Sequence, residues 1–240
     1  MVDNEVIRMI NGSTLYGLNH ETSDEDYVVI FMEPPEVVFS NRKIHSVNLE
    51  PEVDGVGYSL RHFVQLALDG NPSVLTVLHA PIERAKAVTW FPVWKIFALK
   101  GGFTSMRAAP RFLGYMNNQR ERLGGTRTGH IPNRPELVEK YGYDTKYAMQ
   151  ALRLGMQGVE YFSTGTISSP METNLIELLK DVRFGKYSYE QVMSLVLETE
   201  EALIEAIAKN ALPPEPDEKM IYTYVRELHE DWWSKGEHHG

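Results

Sequence analysis

NGSTLYGLNHETSDEDYVVIFM, residues 11–32, sets a Gly-Ser turn (Gly12-Ser13) a short way ahead of two aspartates, Asp24 and Asp26, that flank a single residue. Upstream, Val6-Ile7-Arg8-Met9-Ile10 reads as a short buried strand, so the Gly-Ser pair falls where that strand ends and the chain turns. Gly12 has no Cβ and permits close approach, while exposed N–H groups and the Ser13 hydroxyl can donate to phosphate oxygens. On an extended segment Asp24 and Asp26 point to one face and Glu25 to the other, so two hard carboxylates can converge on Mg²⁺. The apolar run Tyr27 to Met32 anchors the pair to a buried strand. Acid-x-acid spacing also occurs at Glu50/Glu52, Glu52/Asp54, Glu198/Glu200 and Glu215/Asp217, and alone Asp24-x-Asp26 would read as a solvated turn. What points to metal and nucleoside triphosphate is the order: strand, Gly-Ser, linker, Ser-Asp-x-Asp, strand.

With those residues in place, the chain resembles the DNA polymerase beta superfamily of nucleotidyltransferases, whose signature joins a Gly-Ser turn, Asp-x-Asp and a third carboxylate on a later strand. Gly12-Ser13-Thr14-Leu15-Tyr16-Gly17 with Ser23-Asp24-Glu25-Asp26-Tyr27 resembles an RNA-repair-pathway branch of it. Tyr58 to Phe63, Gly70 to Leu75 and Gly142 to Lys146 leading to Leu152-Arg153-Leu154 resemble that branch's later motifs, and the resemblance spans about two thirds of the chain. It implies that Asp54, in Glu52-Val53-Asp54-Gly55-Val56, is the third carboxylate, with Glu52 on the same strand face as the fallback. It further implies that Gly12 and Ser13 hold the β and γ phosphates, while Tyr143, Asp144, Lys146 and Arg153 close over the nucleotide. Lys146 and Arg153 lie seven residues apart and share a helix face; a surface pair is the alternative. Two features depart from the pattern. The chain starts only a few residues ahead of the Gly-Ser strand, so the fold is expected to be trimmed at that edge, and Glu25 stands where an apolar or aromatic residue is usual.

The expected activity is Mg²⁺-dependent transfer of a nucleoside monophosphate from an NTP to an acceptor hydroxyl, with two ions held by Asp24, Asp26 and Asp54. An RNA 3′ end is the expected acceptor. A protein side chain is the alternative acceptor, and an inactive nucleotide-binding module is the alternative should the third carboxylate be missing.

A length of 240 residues with 42% hydrophobic content suffices for a real core. The chain has no cysteine, which excludes disulfides, thiolate zinc sites and a cysteine nucleophile. No apolar run approaches the roughly 20 residues of a membrane span, and the acidic start Met1 to Glu5 lacks a signal peptide's basic end, so a soluble, cytoplasmic protein is expected. The histidines show no zinc-hydrolase spacing, and neither a Walker loop nor a nucleophile elbow is present. Trp232-Trp233 is expected to pack onto the domain rather than to stack bases.

A net charge of -9 argues against a surface basic all over. Between Gly101 and Arg134, however, Arg107, Arg111, Arg120, Arg122, Arg127 and Arg134 face a single acid, Glu121, an excess of +5. That segment is the expected route for a polyanion; arginines bridging neighbouring carboxylates are the competing reading. The fold expected is α/β (α+β): a small mixed-sheet nucleotidyltransferase core over residues 1–92, followed by a helical region over 93–240. Strands are expected at Val6–Ile10, Tyr27–Met32, Lys43–Leu49 and Val53–Gly57, with helices at Leu60–Leu68 and Val74–Leu78. Helices at Met106–Leu123, Thr145–Phe162, Thr173–Leu179, Tyr189–Lys209 and Lys219–Trp233 are expected to follow.

Overall fold

The computed structural model describes residues 3–20, 24–40, 46–49, 54–125, 129 and 131–235. It is mixed α/β, with a sheet built in the first third of the chain and helices thereafter. The sheet comprises β1 (Glu5–Ile10), β2 (Tyr27–Phe31), β3 (Ser46–Asn48), β4 (Gly55–Ser59) and β5 (Ala85–Val88) in the order β3-β4-β2-β1-β5. Val28 to Phe31 are all buried, so both faces of β2 are covered, which makes it the middle strand. Its neighbours run in opposite senses: β1 is antiparallel to it and β4 parallel.

The helices are α1 (Gly12–Tyr16), α2 (Pro35–Val38), α3 (Leu60–Leu68), α4 (Pro72–His79), α5 (Lys95–Ala98), α6 (Lys100–Phe103), α7 (Ala109–Leu123), α8 (Pro135–Tyr141), α9 (Thr145–Thr164), α10 (Thr173–Arg183), α11 (Tyr189–Lys209) and α12 (Glu218–Ser234). Caps fix several starts: Ser59 accepts from His62 N, Asn71 from Ser73 N and Val74 N, and Asp144 from Lys146 N and Tyr147 N. Tyr58 and Ser59 close β4, and Ser59 caps α3.

Helix α9 is the hub, packing against α7, α10 and α11. Gly158 makes that closeness feasible, because a Cβ there would meet Leu203 of α11 at 2.7 Å and Phe112 of α7 at 3.0 Å. Helix α12 returns to the sheet end: Trp233 Nε1 donates to the Glu33 carbonyl (2.9 Å) and the Tyr224 hydroxyl to that of Pro92 (3.0 Å). Trp232 meets Trp90 edge-on at 5.2 Å, so the tryptophan pair packs onto the domain as the sequence suggested. Most of the buried apolar residues form one continuous cluster from Val6 to Leu228. No helix among the described residues is long and apolar enough to cross a membrane.

The long helices lie where periodicity puts them, with α3 and α11 at the expected bounds and α9 running on to Thr164. The expected strand Lys43–Leu49 appears as Ser46–Asn48, and residues 43–45 are outside the described residues. The strand expected at Val53 begins at Gly55, and Val53 is likewise outside. The Gly-Ser pair, expected in a turn, opens the short helix α1, the helix expected at Thr173–Leu179 runs on to Arg183, and the short pieces β5, α2, α5, α6 and α8 stand where the sequence suggested connections.

Candidate active site

Sheet pairing alone brings the acidic residues together. Register pairs Tyr27 with Gly55 across the parallel β2–β4 ladder, so Asp26 and Asp54 stand side by side just before the two strands begin. Tyr27 N donates to the Asp54 carbonyl at 2.9 Å. On the other side Ile10 pairs with Tyr27, and Asn11 N donates to the Asp26 carbonyl at 2.8 Å. Asp26 thus lies between the start of α1 and the start of β4. Gly12 has φ +59, and a Cβ on it would overlap the Asp26 carboxylate. The position accordingly requires glycine twice over, for backbone and for space.

These residues open onto a cavity of about 280 Å³ lined by Gly12, Ser13, Asp24, Asp26, Asp54 and Lys146, together with Tyr16, Leu18, His20, Met149, Gln150 and Arg183. Burial, and then the Asp54 carboxylate hydrogen-bonded to it, raise the Asp26 pKa above its ordinary value; Lys146 pulls the other way and Asp24 adds to the repulsion. Two carboxylates held together against their mutual repulsion form a donor set that suits a hard divalent cation, which would remove the penalty. Among the described residues no three His, Asp or Glu side chains gather tightly enough to hold one ion between them. The pair that fits is Asp26 with Asp54, and Asp24 borders the same cavity. Glu52, the fallback, lies outside the described residues, as do Ser23, Arg127 and His130. Glu25 does not line the cavity: it accepts from the Tyr27 hydroxyl (2.5 Å) and pairs with Lys86 of β5 (3.4 Å).

The expected nucleotide-closing residues separate. Lys146, exposed in the first turn of α9, lines the cavity; Tyr143, Asp144 and Arg153 do not. Tyr143 is buried, which pushes its phenol up to about 12, and it donates to the Tyr187 carbonyl at 2.9 Å. Asp144 is spent on capping α9 and on Arg134 at 3.0 Å. Arg153 is 5% exposed, donates to Gln150 (2.8 Å) and Gln157 (2.6 Å), and sits 4.1 Å from the Tyr16 ring centroid. It therefore braces the cavity wall from behind. Met149 and Gln150, which the sequence reading passed over, are three and four residues on from Lys146 and could have been found on the same helix face. Arg183, at the end of α10 and donating to Thr145 at 3.1 Å, carries no local signal.

The arginine-rich segment is divided as well. Arg107 is held by Glu215 and Glu218, Arg120 by Glu200 and Arg134 by Asp144, so carboxylates from later in the chain neutralise three of the six arginines.

A family model described as the RNA repair pathway DNA polymerase beta family matches residues 6–206. The chain is also 31% identical over 129 residues to an uncharacterized 38.9 kDa protein encoded in the nrdC-mobD intergenic region of Enterobacteria phage T4. That match covers 50% of this chain and 38% of the phage protein, so the chain spans well under half the length of this relative. No solved structure matches.

Proposed function

The chain belongs to the RNA repair pathway DNA polymerase beta family, and within the nucleotidyltransferase role in RNA repair that this implies we propose Mg²⁺-dependent transfer of a nucleoside monophosphate from an NTP to an RNA 3′ hydroxyl. The observation that carries this reading is Asp26, pressed between Gly12 and Asp54 on a cavity that also presents Ser13 and Lys146. Asp26 and Asp54 would hold the metal, with Asp24 adding negative charge on the border of the same cavity; the metal's chemistry when bound is to neutralise charge on the phosphoryl oxygens and to lower the pKa of an attacking hydroxyl.

The chain's own groups do the rest. The Ser13 hydroxyl and the N–H groups at the start of α1 donate to the β and γ phosphates. Lys146 offers a mobile cation to the triphosphate, and Arg183, fixed by Thr145, offers a second on the opposite helix. The acceptor oxygen bonds to the α-phosphorus, the bond from that phosphorus to the bridging oxygen breaks, and pyrophosphate leaves with the electron pair. The acceptor proton goes to the acidic cluster.

The test is incubation with labelled NTPs, Mg²⁺ and either RNA or total protein. RNA label lost in Asp26→Asn is the expected result. Label on protein alone would transfer the same chemistry to a side-chain acceptor, and no label in either arm would leave a binding module.

A further inference from the structure

We propose that the exposed face of α7 seats the acceptor strand, as a binding stripe for single-stranded polynucleotide made of Arg111, Tyr115, Asn118 and Arg122. The proposal rests on the nucleotidyl-transfer reading for its purpose, and its own evidence is separate from the cavity.

Pairing sorts the arginines. Arg107, Arg120 and Arg134 are neutralised by carboxylates, whereas Arg111 and Arg122 have no carboxylate partner among the described residues. Those two are eleven positions apart with Tyr115 and Asn118 between them, a spacing that puts all four on one helical stripe about 16 Å long. A shallow groove of about 430 Å³ runs along it, bordered by Pro110, Arg111, Gly114, Tyr115, Asn118 and Gln119. Gly114 leaves the groove's floor open, since a Cβ there would meet nothing within 4 Å. Tyr115 is 37% exposed, and its hydroxyl accepts from Asn71 Nδ2 at 3.1 Å, which fixes an aromatic ring at the surface. Two guanidinium groups with no carboxylate partner among the described residues, a fixed ring and an amide are what a single strand needs: phosphate contacts, a stacking surface and a hydrogen bond to a base edge. A solvated helix face is the ordinary alternative. It does not account for an exposed ring anchored by its hydroxyl beside a groove, set between Arg111 and Arg122 on a chain whose net charge is -9. A polyanion repelled by most of such a surface finds complementary charge on this stripe.

Two members of the stripe lie near elements that carry the cavity. The Arg122 guanidinium lies 6.0 Å from the Tyr147 ring, next in sequence to Lys146. On the other side, Tyr115 lies near enough to Tyr58 of β4 to add, after burial, to the rise in the Tyr58 pKa. Tyr58 and Asp54 are four residues apart along β4 and its approach, hence on one sheet side at roughly 13 Å.

The test measures binding rather than turnover: fluorescence anisotropy of a 5′-labelled single-stranded 12-mer, as RNA and as DNA, without NTP. Tyr115→Ala and Gly114→Leu should each weaken RNA binding about tenfold, the first by losing a stacking partner and the second by filling the groove. Tyr115→Phe keeps the ring and loses the Asn71 contact; binding retained there separates stacking from a structural role. Arg111→Gln with Arg122→Gln should lower the slope of log affinity against log salt by about 1.4, or 0.7 per phosphate contact. Mg²⁺–ATP affinity should not change in any of these variants, and Asp26→Asn should show the reverse pattern. If the cavity reading alone fails, strand binding survives with its dependence on Tyr115. Equal binding of RNA and DNA supports the stripe, because these contacts do not read the 2′-hydroxyl. Stripe variants that bind like the unmodified protein, or an unmodified protein that binds neither strand, overturn it.

Discussion

Asp26 occupies the space that a side chain on residue 12 would need: a Cβ built on Gly12 would overlap the carboxylate, and Gly12 adopts φ +59. Gly12→Ala therefore forces either the backbone or Asp26 to move. The backbone strain costs about 1–2 kcal/mol, and moving a reacting group by on the order of 1 Å costs about 10²-fold in rate. Labelled-nucleotide transfer should fall by that factor with only a few degrees lost in melting temperature. Transfer at the unmodified rate would show that the Gly12–Asp26 contact does not position the chemistry.

The carboxylates should separate activity from stability. Asp24→Asn, Asp26→Asn and Asp54→Asn are each expected to cost roughly three orders of magnitude in transfer, about 4 kcal/mol of transition-state stabilisation. Chelation of Mg²⁺ should do the same to the unmodified protein. Since burial and Asp54 both disfavour the charged form of Asp26, Asp26→Asn should melt no lower than the unmodified protein. Near-normal transfer in all three variants would remove the metal assignment.

How far the sequence carried these conclusions depended on the range of the signal. Asp24, Asp26, Gly12 and Ser13 sit close in the chain between two strands, β1 and β2, so two-residue periodicity and the loss of Cβ at glycine suffice to place them on one cavity. The long helices were legible for a similar reason, as in α11, where capping by Ser188 and Gln191 coincides with the start of the apolar pattern. Strand β5 was not: Ala85–Val88 is four residues with a lysine inside it, and only pairing with β1 makes it a strand. Tyr143, Asp144 and Arg153 show the limit on side chains. They lie on α9 or just ahead of it, yet burial turns Arg153 toward Tyr16 and Tyr143 toward Tyr187, and which side is buried is decided by elements distant in sequence.

A buried polar clasp joins α12 to the sheet. Glu33 is 2% exposed, accepts from Arg61 Nε at 2.9 Å and lies 3.5 Å from His229 Nε2, an ion-pair distance rather than a good hydrogen bond. Burial works to raise the Glu33 pKa, but the contacts with His229 and Arg61 outweigh it and hold the carboxyl below its ordinary value. A carboxyl depressed in the folded state stabilises above the ordinary glutamate range, and that contribution is lost as pH falls through the folded pKa. Glu33→Gln should thus cost about 1–3 kcal/mol near neutral pH by stranding its partners, and the difference from the unmodified protein should shrink toward zero in acid. Thermal melts from neutral pH to below the carboxylate range check this; a gap that stays constant or widens in acid would discard the clasp.

Lys146 and Arg153 share a helix and two turns separate them, yet the structure gives them opposite work. Lys146 is exposed on the cavity and touches Asp26 through charge, so Lys146→Ala should raise KM for NTP about tenfold, in line with roughly 1.4 kcal/mol, and leave the melting temperature unchanged. Arg153 is buried against the Tyr16 ring and holds Gln150 and Gln157. Arg153→Ala removes a desolvated cation–π contact worth about 2 kcal/mol and leaves two amides short of a partner, a further ~1–2 kcal/mol. At roughly 2–4 °C per kcal/mol for a chain of this size, the melting temperature should drop by about 6–16 °C. Arg153→Lys should recover little of it, because an ammonium lacks the planar fork that engages both glutamines while stacking on the ring. Should Arg153→Ala instead leave stability intact and raise KM for NTP, the arginine would belong to the triphosphate site after all, and α9 would have to rotate on binding to present it.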